Sequence, residues 1–126
     1  MARILIVEDE AHSARALECF LTSLDHEVRL ADRAGQALDI ATEFHPQVVL
    51  TDLLLAGEQD GIAVARELAR RNGAPPVILM SGLPLQELKE RARGEPVCEI
   101  QTKPLRLQRI RDAIDRALTD GSNGKR

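Results

Sequence analysis

Short apolar runs alternate along the chain with segments whose apolar residues recur at helical spacing. The runs are Ile4-Leu5-Ile6-Val7, Glu27-Val28-Arg29-Leu30, Val48-Val49-Leu50, Val77-Ile78-Leu79-Met80 and Val97-Cys98-Glu99-Ile100. Their shortness and β-branched content predict strands. Between them, Ala14, Leu17, Leu21 and Leu24 repeat every three or four residues, as do Ala34, Ala37, Leu38 and Ala41, and Ile62, Ala65 and Ala69. That spacing gathers side chains on one helix face. Residues 85–92 predict a shorter, more polar helix, and Leu107, Ile110, Ile114, Ala117 and Leu118 form the clearest apolar stripe. Regular strand–helix alternation predicts an α/β fold in which parallel strands are joined by right-handed crossovers.

The runs differ in a way that orders them. The first, third and fourth are continuously apolar, as strands covered by helices on both faces must be. The second and fifth interleave Glu27, Arg29, Glu99 and Gln101, a pattern tolerated at sheet edges. The expected architecture is therefore a doubly wound five-stranded parallel sheet of order 2-1-3-4-5, with helices on both faces. One domain is expected over residues 1–119. The segment 120–126, rich in Gly, Ser and Asn, is expected to be a disordered tail.

Composition narrows the classes of function. A chain of 126 residues with 44% hydrophobic content buries an adequate core without metal or disulfide. The net charge of −3, the absence of Trp and Tyr, and only Phe20 and Phe44 as aromatics argue against nucleic-acid binding. Cys19 and Cys98 lack metal-ligand spacing and read as reduced thiols, so a cytoplasmic location is expected. No apolar run is long enough to span a bilayer, and the N-terminus reads as a strand rather than a secretory leader.

Ligands of such a sheet bind beyond the carboxyl ends of the strands, where the order reverses between the first and third. The first strand ends in Glu8-Asp9-Glu10 and the third in Thr51-Asp52, so Glu8, Asp9 and Asp52 are expected at one edge. Three adjacent carboxylates repel one another, and a hard divalent cation such as Mg2+ relieves that repulsion. Glu10 reads instead as an acidic helix start. The fourth strand ends in Ser81-Gly82. Its hydroxyl suits a phosphoryl oxygen, although a serine there also suits a cap or turn. The fifth ends in Thr102-Lys103-Pro104. Lysine is a compact donor to phosphate oxygens, and Pro104 admits a cis peptide.

Taken together, Glu8-Asp9, Asp52, Ser81-Gly82 and Lys103-Pro104, in this order at strand ends, resemble a response-regulator receiver domain. That is the phosphoacceptor domain of a two-component system, either stand-alone or excised from a hybrid histidine kinase-like protein. The resemblance runs from about Arg3 to Leu118, and the stretch from Asp52 to Ile62 resembles the longer form of the family's loop after the phosphoacceptor. It implies a flavodoxin-like sheet and a signalling role in a phosphorelay. Asp52 would take a phosphoryl group from a phosphohistidine, with Lys103 and Ser81 contacting the phosphoryl oxygens. Mg2+ would be held by Asp9 and Asp52, by Glu8 largely through water, and by the main-chain carbonyl of Leu54. The implied partners are a histidine kinase or histidine phosphotransfer protein, a downstream protein and, as an option, a second copy. No nucleic acid or membrane is implied. The domain would phosphorylate and dephosphorylate itself without being a turnover enzyme.

Two positions depart from the family pattern: Ala56 replaces a usual proline, and Ile100 replaces the usual aromatic three residues before the lysine. An isoleucine cannot reproduce a ring that moves between a wet and a buried setting. One alternative is thus a receiver-like interaction module that works without phosphorylation. A Mg2+-dependent phosphohydrolase is a third reading, opposed by the lack of a D-x-D at the nucleophile and of an inserted cap.

Overall fold

In this computed structural model the backbone is described for residues 1–123 and the side chains for residues 1–119. Five strands, β1 (Arg3–Val7), β2 (Glu27–Ala31), β3 (Val48–Asp52), β4 (Val77–Ser81) and β5 (Glu99–Thr102), alternate with five helices. The helices are α1 (Ala11–Ser23), α2 (Ala34–Phe44), α3 (Gly61–Ala69), α4 (Leu85–Ala92) and α5 (Leu107–Asn123). All strand pairs are parallel, in the order β2-β1-β3-β4-β5. The charged, alternating strands are the edges, as their composition predicts.

Alternate residues of the central strands feed two apolar layers. Ile4, Ile6, Val48, Leu50, Ile78 and Met80 face Leu17 and Leu21 of α1 and Ile110 and Ile114 of α5. Leu5, Val7, Val49 and Val77 face Ala34 and Ala37 of α2 and Val64 and Leu68 of α3. Burying β3 and β4 on both faces explains why neither tolerates a charge before its carboxyl end. A third cluster of Leu53, Ile62, Leu79 and Leu88 lies under α4, with Ile100 packed at its side.

The structure departs from the sequence pattern at three ends. β5 begins at Glu99 rather than Val97, because the Val97 N–H closes a turn onto the Glu95 carbonyl at 2.8 Å. Leu24 lies just past α1 as its C-cap, though it still packs against the core. α5 continues to Asn123, into the segment expected to be a disordered tail, and 124–126 lie outside the described residues.

Candidate functional site

Glu8 follows β1 directly, and Asp52 is the last residue of β3. Because β1 and β3 are neighbours in register, Val7 opposite Thr51, their carboxyl ends bring Glu8, Asp9 and Asp52 together. One carboxylate oxygen from each lies within 4.8 Å of the others. Glu8 and Asp52 are buried, at 3% and 7% exposure, while Asp9 is open to solvent. Lys103 reaches in from the end of β5. Its Nζ lies 2.9 Å from Glu8 Oε1, and 2.8 and 3.0 Å from Asp52 Oδ1 and Oδ2. The hydrogen bond to Asp52 is aimed at Oδ2, and Oδ1 is buried with no hydrogen-bond partner among the described residues.

The rest of the acidic run is used locally. Glu10 caps α1, accepting hydrogen bonds from Ser13 N at 2.8 Å and His12 N at 3.2 Å. This satisfies helix-end donors that have no partner within the helix. The Glu10 N–H in turn donates to Glu8 Oε2 at 3.0 Å. Glu8 is therefore held from both sides, by a backbone amide and by Lys103.

These contacts separate the two buried carboxyls. Burial pushes Asp52 up, its neighbour Glu8 adds to the shift, and Lys103 only partly opposes them, so its pKa rises to about 7. Burial also pushes Glu8 up. There, hydrogen bonds with Asp52, the Glu10 amide and Lys103 outweigh it, and Glu8 falls below the usual carboxylate range. Lys103 loses some basicity to burial but gains more from Asp52 and Glu8, so it stays protonated. Glu8 holds the negative charge of the pair, and Asp52 is the group that a bound cation would help to ionise.

Ser81 ends β4, buried and opposite Thr102 of β5. Its Oγ accepts the Leu83 N–H at 3.1 Å and its carbonyl accepts the Lys103 N–H at 2.8 Å. The turn role and the site position thus coexist. Its hydroxyl hydrogen remains available for donation. The Lys103–Pro104 peptide is cis. The Leu54 side chain is 59% exposed beside the site.

One contributor has no chemistry to announce it. A side chain on Gly61, the first residue of α3, would collide with the Asp52 main-chain carbonyl and come within 3.1 Å of Leu79 Cδ1. Gly61 N–H donates to the Leu53 carbonyl at 2.8 Å, and Asp60 caps the helix by accepting from Ala63 N at 2.9 Å. A glycine at this point lets the α3 start back directly onto the end of β3 and fix Asp52. The Asp60-Gly61 pair ahead of Ile62 signals a helix start in the sequence, but not the close approach.

Residues 4–115 match the family of the response regulator receiver domain. The chain belongs to this family. It is 30% identical over 115 residues to the transcriptional regulatory protein ZraR of Escherichia coli, covering 91% of this chain and 26% of the relative. It is 32% identical over 116 residues to the regulatory protein AtoC of Escherichia coli, covering 92% and 25%. The receiver domain described here thus spans about a quarter of the length of these curated relatives. Among solved structures, NtrX from Brucella abortus in complex with ADP superposes with a TM-score of 0.90 at 28% identity, covering 98% of this chain and 28% of that one. The signal receiver domain of a modulated diguanylate cyclase from Desulfovibrio desulfuricans gives 0.88 at 26% identity, with 98% of each chain covered.

Proposed function

We propose that this receiver domain accepts a phosphoryl group on Asp52 from the phosphohistidine of a histidine kinase or histidine phosphotransfer protein. The modification then changes its binding to a downstream protein. The observation that carries the reading is Asp52 Oδ1, a buried carboxylate oxygen with no hydrogen-bond partner among the described residues and a lysine ammonium 2.8 Å away. An oxygen held by an ion pair but by no aligned hydrogen bond is free to take a further partner, which supports a reactive role.

The donor set fits Mg2+: hard oxygens, three carboxylates within reach of one ion, and an excess of negative charge over Lys103. Asp9 and Asp52 would hold it, with Glu8 through water and the main-chain carbonyl of Leu54. When bound, the cation neutralises the carboxylates and the charge on incoming phosphoryl oxygens.

The chain's own groups do the remainder. An Asp52 carboxylate oxygen attacks phosphorus in line with the leaving imidazole. The new O–P bond forms as the P–N bond breaks. The imidazole nitrogen departs with the electron pair and takes a proton from solvent. Lys103 is positioned to turn from Asp52 to a phosphoryl oxygen, and the Ser81 hydroxyl to donate to another. Water attacking the same phosphorus later releases phosphate and restores the Asp52 carboxylate. The domain modifies only itself, and the cytoplasm is where such a donor and acceptor would meet.

Intact mass after incubation with Mg2+ and acetyl phosphate tests this. One phosphoryl adduct, absent in Asp52→Asn, is expected. Ile100 favours the second reading, an interaction module independent of phosphorylation, and absence of the adduct would support that reading instead.

A further inference from the structure

The edge of the sheet opposite Asp52 carries a cavity of about 450 Å³, a size typical of small-ligand sites. It lies between the ends of α2, α3 and α5 and the start of β1. Its polar lining includes Arg3, His45, Arg71 and Asn72, and its walls include Leu68 and Pro76. No carboxylate lines it among the described residues.

Both arginines are fixed by hydrogen bonds, and Arg3 also borders the neighbouring groove that holds Glu27, Asp39 and Glu43. Arg3 Nε donates to the Phe44 and His45 carbonyls at 3.1 and 2.9 Å. Arg71 Nη1 donates to the Leu38 carbonyl at 3.3 Å and to Thr42 Oγ1 at 3.2 Å. Phe44 and His45 are end groups of α2, so Arg3 caps the negative end of that helix, while Arg71 bridges its last two turns. These bonds occupy one nitrogen of each. No carboxylate lies within ion-pair distance of either arginine among the described residues, a condition they share with Arg15, Arg106, Arg109 and Arg111 but, unlike those, in the lining of this cavity. A guanidinium presents five N–H donors in a rigid fork matched to carboxylate and phosphate oxygens. Holding one edge of each fork in place removes part of the side-chain ordering that binding would otherwise cost.

We propose that this cavity binds a small organic oxyanion, a carboxylate or phosphate ester with a compact apolar body. The charged end meets Arg3 and Arg71, and the apolar end lies against Leu68 and Pro76. The site is separate from the phosphorylation edge and does not depend on it.

The test is an amide chemical-shift titration of the 15N-labelled full chain, without divalent cation, using phenyl phosphate and, separately, inorganic phosphate. Saturable shifts at Gln47, Asn72 and Gly73 are expected, with phenyl phosphate binding at least threefold tighter. Arg71→Gln is expected to weaken it at least tenfold. Asn72→Asp leaves the α2 cap bonds untouched and places a negative charge in the lining, so it should weaken binding at least fivefold even if Arg71→Gln proves unstable. Shifts that never saturate, that cluster around Asp52, or that persist unchanged in Asn72→Asp would overturn the site. Equal affinity for the two probes would overturn the assignment of an apolar body.

Discussion

Lys103 Nζ lies 2.8 and 3.0 Å from the two carboxylate oxygens of Asp52, and is held there by Glu8 at 2.9 Å. One ammonium therefore counters two buried carboxyls. The uncharged Lys103→Met removes the cationic partner of both, leaving Glu8 its hydrogen bonds with the Glu10 amide and Asp52. Phosphorylation of Asp52 by acetyl phosphate should slow by roughly a hundredfold, the usual loss when one charge-stabilising donor is deleted. Intact-mass time courses give the rate. A rate within threefold of the parent would remove Lys103 from the reaction.

The Asp52–Glu8 asymmetry predicts how stability depends on pH. The folded-state pKa of Asp52, about 7, lies above its ordinary value of 3.8. Its contribution is thus fully present below the ordinary value and is lost as pH rises through about 7. Glu8 is lowered, so its contribution is lost only as pH falls below the carboxylate range. Burial also lowers His26, which weakens the fold on the acid side. Comparison with Asp52→Asn subtracts the His26 contribution, whereas Glu8 loses its hydrogen bond with Asp52 in that variant and changes with it. Metal-free Asp52→Asn should be more stable than the parent near pH 8, by on the order of 2 kcal/mol. The gap should narrow as pH falls, close only below about 3.8, and shrink when Mg2+ is added to the parent. Denaturant melts in chelator measure it, and a gap that does not vary with pH would refute the assignment.

The strand ends made most of this site legible in advance. Continuous apolar runs fixed β1, β3 and β4 as central, and a carboxylate at the end of a central strand has few places to be except the ligand edge. Lys103 was legible for the same reason, although β5 itself starts later than its apolar residues indicate. The unequal charge of Glu8 and Asp52 was not legible. It depends on the Glu10 amide and on where the Lys103 ammonium comes to rest, neither of which has a sequence pattern. Gly61 carries no such pattern, because its contribution is the absence of an atom.

That absence is testable. In Gly61→Ala the new methyl meets the Asp52 carbonyl, with the Asp52 carbonyl carbon at 3.0 Å and Leu79 Cδ1 at 3.1 Å. Backbone cannot yield as a flexible side chain can, so the strand end must shift. A loss of about 2–3 kcal/mol is expected, together with slower phosphorylation. Gly35→Ala is the control. It lies within α2 with no atom within 4 Å of the added carbon, and should raise stability by up to about 1 kcal/mol. Equal melting of the two variants would show that the α3 start tolerates a side chain.

The last prediction concerns how α4 responds to Asp52. Leu88 is the one buried residue of α4, and it packs with Leu53 and Ile62, which flank the loop between Asp52 and α3. Ion pairs add links on the α3 side, Arg91 to Asp60 at 3.4 Å and Arg66 to Glu95 at 2.6 Å. Both are partly exposed and contribute little to stability, so the apolar contact is the stronger connection. Ile100 borders the same cluster and offers shape without a polar handle. A change at Asp52 should therefore reach α4 through Leu53 and Leu88, as a smaller movement than an aromatic switch would give. Hydrogen exchange with and without beryllofluoride and Mg2+ should show altered protection across Leu85–Ala92 and at Ser81. Leu88→Ala should cost about 2–4 kcal/mol and abolish the α4 response while leaving the Asp52 adduct intact. If α4 protection is unchanged by the phosphoryl mimic in the parent chain, the signal leaves by another face.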